Sequence, residues 1–193
     1  MKPKISIIGK GNVGTALKKG LERENYEVKS VGKDPEQIAE LAEWGEVIIL
    51  AVPYPAIDEV VKIISDKVSD KIIVDATNAL TPDYNLAVGF TTSGAEELQK
   101  KVPSAKIVKA FNTVFAKHMS TGKTNKARLT AFAAGDDNAG KEKVLKIAEA
   151  IGFDPVDSGP LKNARWLETL GYLNIQLGHT LGMGTDIGFK LEH

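Results

Sequence analysis

The chain contains no cysteine. That excludes a disulfide scaffold, a thiol nucleophile and any thiolate-bound metal, and it suits a reducing compartment. Long apolar runs are missing as well. The longest, VIILAV at Val47–Val52, is far below the roughly 20 residues that cross a bilayer. The N-terminal MKPKISIIGKGNVG has a basic start, but its apolar run ends at Lys10, too early for a secretory core. A soluble, cytoplasmic protein without a membrane partner is expected. Net charge is also absent: 25 Lys+Arg balance 25 Asp+Glu. The broad positive surface of a nucleic-acid binder is therefore not expected. His118 and His179 are far apart, without the spacing of a metal motif, and read as surface or packing residues; no metal is expected. Residues 191–193, with His193, read as the start of a vector-encoded tag.

What is present is an alternation. The β-branched runs KISIIG, YEVKSVG, EVIILAV, KIIVDAT, AKIVKAF and RLTAFAAG are separated by segments such as GNVGTALKKGLEREN, DPEQIAELAEW and PAIDEVVKIISDKV. Those segments carry apolar residues at helical spacing. Near-continuous apolar strands between amphipathic helices imply a doubly wound, Rossmann-type α/β sheet, mostly parallel and covered on both faces. A helix over residues 136–152, capped by Gly152, leads to an edge strand at FDPVDSG. From Leu161 onward the sequence predicts one long helix ending near Gly182–Gly184. The division expected is a dinucleotide-binding domain over residues 1–157, a C-terminal helical extension over 158–190, and the tag remnant.

GKGNVG at Gly9–Gly14 lies where the first strand meets the first helix. Gly9 permits the tight turn, Gly11 leaves no Cβ between backbone and pyrophosphate, and Gly14 lets helix and strand pack closely. The helix N-terminus, with Asn12 and Val13, offers free N–H groups to phosphate. A site specific for NAD usually places a carboxylate at the end of the second strand. Here that position falls on Gly32, followed by Lys33. Room plus a countercharge favours the 2′-phosphate of NADP(H), with Ser30 and Lys33 as contacts. Asp34 is the acid that would reverse this choice if the strand ended later.

Ligands of such sheets sit outside the carboxyl ends of the strands. Val52 and Pro53 form an apolar wall at the third strand end, Thr77 and Asn78 offer polar groups at the fourth, and Phe111, Asn112 and Thr113 project from the fifth. Asn112 and Thr113 are expected to carry the catalytic role, Asn112 by orienting the carboxamide. The alternative for each polar pair is a helix N-cap. In the last helix Gly171, Gly178 and Gly182 fall within about 40° of one another at 100° per residue. They would let a flat ring approach, or else allow tight helix packing. Arg165 would meet an anionic substrate group or a surface carboxylate, with Arg128 and Lys162 as weaker candidates.

With GKGNVG, the VPY strand end, DATN, KAFNT, AAGDD, SGPLKNARWLE and GMGTDIGFK assembled, the chain resembles the F420-dependent NADP oxidoreductase family. The resemblance implies a Rossmann domain with a small C-terminal extension, commonly dimeric, that binds NADP and holds a deazaflavin or flavin against the nicotinamide. By matching motifs it implies phosphate contacts from Gly9, Gly11, Asn12 and Val13, a 2′-phosphate contact from Lys33, and a groove lined by Pro53 and Asn78. Two departures leave the acceptor open between F420 and a flavin such as FMN. Asn112 stands where members using F420 have histidine, and the segment between the second and third strands is shorter. Hydride transfer between stacked rings needs positioning rather than a protein acid or base. The expected activity is hydride transfer between NADP(H) and such an acceptor. An NADP-binding sensor without turnover, or a reductase of a small imine or ketone, are the alternatives.

Overall fold

The computed structural model describes residues 1–192; His193, part of the expected tag remnant, lies outside the described residues. Seven strands form one sheet: β1 (Ile5–Ile8), β2 (Val28–Val31), β3 (Val47–Leu50), β4 (Ile72–Asp75), β5 (Lys106–Ala110), β6 (Thr130–Gly135) and β7 (Asp154–Asp157). Their order is β2-β1-β3-β4-β5-β6-β7, all neighbours parallel except β5 with β6. The helices are α1 (Asn12–Arg23), α2 (Pro35–Trp44), α3 (Ile57–Ile64), α4 (Gly94–Lys101), α5 (Asn138–Ile151) and α6 (Ala164–Ile175). The doubly wound architecture expected from the alternation is what the chain adopts.

Strands β1, β3 and β4 are buried along their whole lengths, because helices cover both faces. Alternate side chains feed two cores. Ile5, Ile7, Val74 and Val108 meet α1 and α5, whereas Ile8, Ile48, Ile73 and Ile107 meet α2, α3, α4 and the start of α6. The order reverses at β1, which pairs with β2 on one side and β3 on the other. A ligand crevice opens at the carboxyl end of such a switch point.

Two elements differ from expectation. Helix α4 has no counterpart in the sequence reading, although Ser93-Gly94-Ala95-Glu96 is a capping box. The Ser93 hydroxyl accepts from Glu96 N–H at 3.1 Å and donates to the Glu96 carboxylate at 2.8 Å. The expected single long helix from Leu161 is instead composite. A 3-10 turn at Leu161–Asn163 leads into α6, which widens to a π-helical turn at Gln176–Thr180 and stops there. Gly182 lies beyond it, at φ +72°.

The C-terminal segment is tied to the sheet by a buried charge cluster. The parallel register sets Asp75 of β4 beside Lys109 of β5. Both lie on the face of Ile73 and Ile107, two residues earlier in each strand. Glu168, one turn after buried Ala164, enters from α6. Lys109 Nζ is fully buried, 2.9 Å from Asp75 Oδ2 and 3.0 Å from Glu168 Oε1, and it donates to the Thr77 carbonyl at 2.6 Å. Burial opposes its charge, but the two carboxylates outweigh that and hold its pKa above the ordinary lysine value. Glu168 also accepts from the Gly94 and Ala95 N–H groups at the start of α4, at 3.0 and 3.2 Å. At the far end, Thr130 N–H donates to the Phe189 carbonyl and Leu191 N–H to the Thr130 hydroxyl.

Removing the cation strands two buried carboxylates. Lys109→Met is expected to cost about 3–5 kcal/mol of stability in urea denaturation. The loss should deepen as pH rises above the carboxylate range. The orphaned acids would bind protons more tightly folded than unfolded, so raising pH works against the folded state. A cost below about 1 kcal/mol would contradict this account.

Candidate functional site

The three loop glycines have three different environments. A β-carbon on Gly9, at φ +120°, would overlap the Ala51 carbonyl and crowd Val52, so this residue closes β1 against β3. A β-carbon on Gly14 would overlap the Gly9 carbonyl, which fixes α1 against the loop. A β-carbon on Gly11 would meet nothing within 4 Å. The first and third glycines are demanded by packing, whereas the second faces open space at the start of α1. No acidic residue occupies the first turn of that helix. Exposed Asn12 and half-buried Val13 follow, and the unpaired N–H groups there suit phosphate.

Strand β2 ends at Val31, which puts Gly32 at the acid position. Asp34, the residue that could have reversed the cofactor choice, is committed as the N-cap of α2. Its carboxylate accepts from Gln37 N–H at 3.0 Å and from the Gln37 side chain at 3.3 Å. Lys33 is exposed and forms no ion pair among the described residues. Ser30 sits within β2, paired with Ile7, rather than at the strand's end.

At the third strand end Val52 is half-buried beside Gly9 and Pro53 is exposed. A cavity of about 400 Å³ opens there, bounded by Pro53, Tyr54, Asn78, Leu80 and Tyr84. Neither polar pair at the next strand ends caps a helix. The Thr77 hydroxyl donates to Asp75 Oδ1 at 2.7 Å, so it belongs to the Lys109 cluster and is not offered to a ligand. Asn78 and Asn112 clasp each other: Asn112 Nδ2 donates to Asn78 Oδ1, and Asn78 Nδ2 donates to the Asn112 carbonyl, both at 3.2 Å.

Several expectations at the fifth strand end are corrected. Phe111 does not project toward a ligand; at φ +68° it turns into the core and tilts on Phe153, with ring centroids 5.9 Å apart. Asn112 and Thr113, expected to be catalytic, are both buried against the C-terminal segment. Asn112 Nδ2 donates to the Leu167 carbonyl at 2.8 Å, and the Thr113 carbonyl accepts from Asn174 at 3.1 Å. Asn78 is the amide of the pair that borders the cavity. Asn112 Oδ1 is buried without a partner among the described residues. The carbonyl of Leu167 can only accept, which fixes the orientation of this amide.

The glycine stripe serves packing within the chain. A β-carbon on Gly171 would lie 2.5 Å from Asn78 Oδ1 and 2.6 Å from Asn112 Nδ2, and one on Gly178 would lie 2.5 Å from the Phe115 ring. Those faces hold the chain's own side chains, so no flat ring stacks there, and Gly182 is outside the helix. Arg165 is not free for an anionic substrate: its guanidinium grips Glu96 at 2.8 and 2.6 Å and holds that carboxyl below its ordinary range. Arg128 bonds the Gly152 and Phe153 carbonyls, and Lys162 is exposed. Of the two histidines, His118 is buried with Nδ1 3.1 Å from the Lys123 carbonyl, and His179 is exposed and meets Phe115 edge-on. No cluster with metal-binding potential occurs among the described residues, and no helix among them is long and apolar enough to cross a membrane.

Sequence reasoning missed Lys109, Asp75 and Glu168, since a lysine inside an apolar strand and a glutamate on a helix's buried face look like ordinary polar interruptions. The signal was KAF on one strand aligned with DAT on its neighbour, legible only once register is known.

The chain is similar to several known proteins. The family model described as NADP oxidoreductase, coenzyme F420-dependent, matches residues 4–79. The chain is 28% identical over 181 residues to metalloreductase STEAP3 of Rattus norvegicus, covering 87% of this chain and 36% of that protein. It is 28% identical over 142 residues to F420-dependent NADP reductase of Methanocaldococcus jannaschii, covering 70% of this chain and 63% of that one. The chain thus spans about a third of the rat relative and just under two thirds of the archaeal one. A crystal structure of a candidate F420-dependent NADP-reductase from Arthrobacter sp. FB24 superposes over 99% of this chain and 100% of that chain, with TM-score 0.90 and 25% identity. Residues 4–79 thus match the F420-dependent NADP oxidoreductase family model, and the fold that continues beyond them is similar to that of a candidate F420-dependent NADP-reductase.

Proposed function

We propose that the chain is an NADP(H)-dependent oxidoreductase that passes hydride between NADP(H) and a deazaflavin or flavin acceptor. The observation that carries this reading is the contrast inside the loop: Gly9 and Gly14 are closed by packing, while Gly11 stands open at a helix N-terminus free of acid. Packing alone gives no reason for glycine at that position, whereas close approach of a diphosphate does. Lys33 without a carboxylate partner, and Asp34 engaged in its cap, favour the 2′-phosphate over a bare ribose.

Bound NADPH would supply hydride at its nicotinamide ring. The chain's own part is placement. Loop N–H groups hold the diphosphate, Val52 and Pro53 give the dinucleotide an apolar wall, and Asn78 orients the ring end. Asn78 retains one N–H and one acceptor lone pair beyond its bonds to Asn112. Asn112 serves as the positioning residue beneath it, with an unpartnered oxygen that is the one unmet polar need at this edge. The apolar stripe of α6 with exposed Trp166 and Leu173, continued by Leu181, supports a homodimer through that helix. Leu173→Glu should then give a monomer in light scattering.

The direct test is oxidation of NADPH when F420 or FMN is supplied, compared with NADH. Turnover with NADPH is expected, and its absence with both acceptors would leave only a binding protein. Gly11→Ala separates packing from ligand approach. Its melting temperature should stay unchanged because the new methyl meets open space, while NADPH affinity should fall by about tenfold or more, ~1.4 kcal/mol. Lys33→Ala should weaken NADPH by about tenfold and leave NADH nearly unaffected, read from quenching of Trp fluorescence. Equal losses for both dinucleotides would remove the 2′-phosphate assignment.

A further inference from the structure

One buried charge has no part in holding the dinucleotide. Lys109, Asp75 and Glu168 together carry one cation and two carboxyl groups, all buried. Geometry alone makes both acids carboxylates. Asp75 Oδ1 accepts from the Thr77 N–H at 2.9 Å and hydroxyl at 2.7 Å, and its Oδ2 faces Lys109 Nζ. Glu168 Oε2 accepts from the Gly94 N–H, and Oε1 from the Ala95 N–H and Lys109. Every carboxylate oxygen meets a donor, so neither acid has an acceptor for a proton of its own. The cluster keeps one excess negative charge inside the protein.

That charge lies directly behind the cavity at the third and fourth strand ends. Lys109 donates to the carbonyl of Thr77, the residue before Asn78, and Asp75 is three residues from Asn78, at most about 11 Å of chain. The cavity's own walls, among them Pro53, Tyr54, Asn78 and Leu80, carry no acidic or basic side chain. Tyr54 joins the two from the other side. The β-carbon position of Gly94 lies 2.9 Å from Tyr54 Cε2 and 3.3 Å from Glu168 Oε1, so the aromatic wall packs against the cluster through that bare glycine. Burial first, and the Glu168 carboxylate next, push the Tyr54 phenol above its ordinary value. The field of the cluster therefore reaches the wall. Glu97 and Asp58 also act on Tyr54, but each has a lysine partner, Lys100 and Lys101. Pairs near the surface are screened by salt, and a buried charge is screened much less.

A nicotinamide ring carries a unit positive charge when oxidised and none when reduced. We propose that the excess negative charge of the Lys109–Asp75–Glu168 cluster, set behind Asn78 and Tyr54, stabilises the oxidised ring over the reduced one and makes NADPH the hydride donor in this chain. The C4–H bond of NADPH breaks and its electron pair leaves with the hydrogen for the acceptor. The dinucleotide is oxidised, the acceptor is reduced, and water supplies the proton that completes the reduced acceptor. A fixed negative charge near the ring that becomes positive favours that direction. The inference rests on the proposed oxidoreductase reading and adds direction to it; Asp75 and Glu168 act through the field and touch no substrate.

Titration calorimetry of the wild-type chain with NADP+ and with NADPH tests it, because the two ligands differ only at the ring. NADP+ is expected to bind at least about fivefold tighter. Asp75→Asn and Glu168→Gln each remove the excess charge and should lower that ratio by about fivefold. Adenosine 2′,5′-bisphosphate, which lacks the nicotinamide, should bind both variants as it binds the wild type. Glu24→Gln, which removes a carboxylate from the exposed end of α1, should leave the ratio as it was. NADPH binding as tightly as NADP+ to the wild type would overturn the proposal, whether or not the variants fold. An unchanged ratio in either folded variant, an equal shift in Glu24→Gln, or a parallel loss of all three ligands would overturn it too. If any of these came with NADPH oxidation by F420 or FMN intact, the hydride reading would stand and only its electrostatic control would fall. Binding of neither dinucleotide would sink both.

Discussion

A single ammonium group, Lys109 Nζ, holds together four elements that no apolar contact alone would fix in this arrangement. It faces Asp75 across the strand pair, Glu168 from α6, and through Glu168 the first N–H groups of α4. Two carboxylates against one cation leave a buried excess of negative charge. The α4 amides and the Thr77 N–H and hydroxyl on Asp75 disperse it. Every member is satisfied, the condition under which a buried polar network rigidifies rather than weakens a core. Because it pins α6 at Glu168, the next turn arrives with Gly171 against Asn78 and Asn112. The clasp of those two amides, and so the polar edge at the ends of β4 and β5, follows from a charge cluster one layer below.

The same arrangement changes what the C-terminal segment is. Its N-terminal half completes the core on the α2–α3–α4 face through Leu161 and Ala164, and Phe189 and Leu191 hydrogen-bond beside β6. Glycine at 171 and 178 is the condition of that contact, since any β-carbon would collide with Asn78, Asn112 or Phe115. The strained φ of Phe111 belongs to the same solution. By turning its ring into the core, it brings Asn112 round to face α6. Such a conformation costs about 1–3 kcal/mol and persists only where surrounding contacts over-determine it.

The sheet was legible because buried parallel strands are written as short apolar blocks, and because GKGNVG falls at the first strand-to-helix junction. Each glycine's task could be stated from chemistry alone. The proposed cofactor preference was legible only as far as strand length allowed; the end of β2 at Val31 and the cap at Asp34 support it. What stayed hidden depends on register and on direction. Period alone could not tell that Lys109 meets Asp75, that Arg165 is committed to Glu96, or that Phe111 points inward. Helix α4 is a different case. Its capping box stood in the sequence, but eight residues with a strongly polar composition carry little periodic signal.

The proposed hydride transfer, which proceeds by placing two rings together, puts its demands on the backbone that holds the dinucleotide rather than on an acid or a base. In this chain that backbone is the loop from Gly9 to Gly14. A loop with a side chain at its middle would hold a diphosphate off by the thickness of that chain. A loop of bare backbone, locked at both ends by packing and open at Gly11, allows close approach without giving up rigidity. Reacting atoms about 3–3.5 Å apart tolerate little slack. The loop is rigid because its outer glycines are crowded, and ligands can approach it closely because its middle one is not.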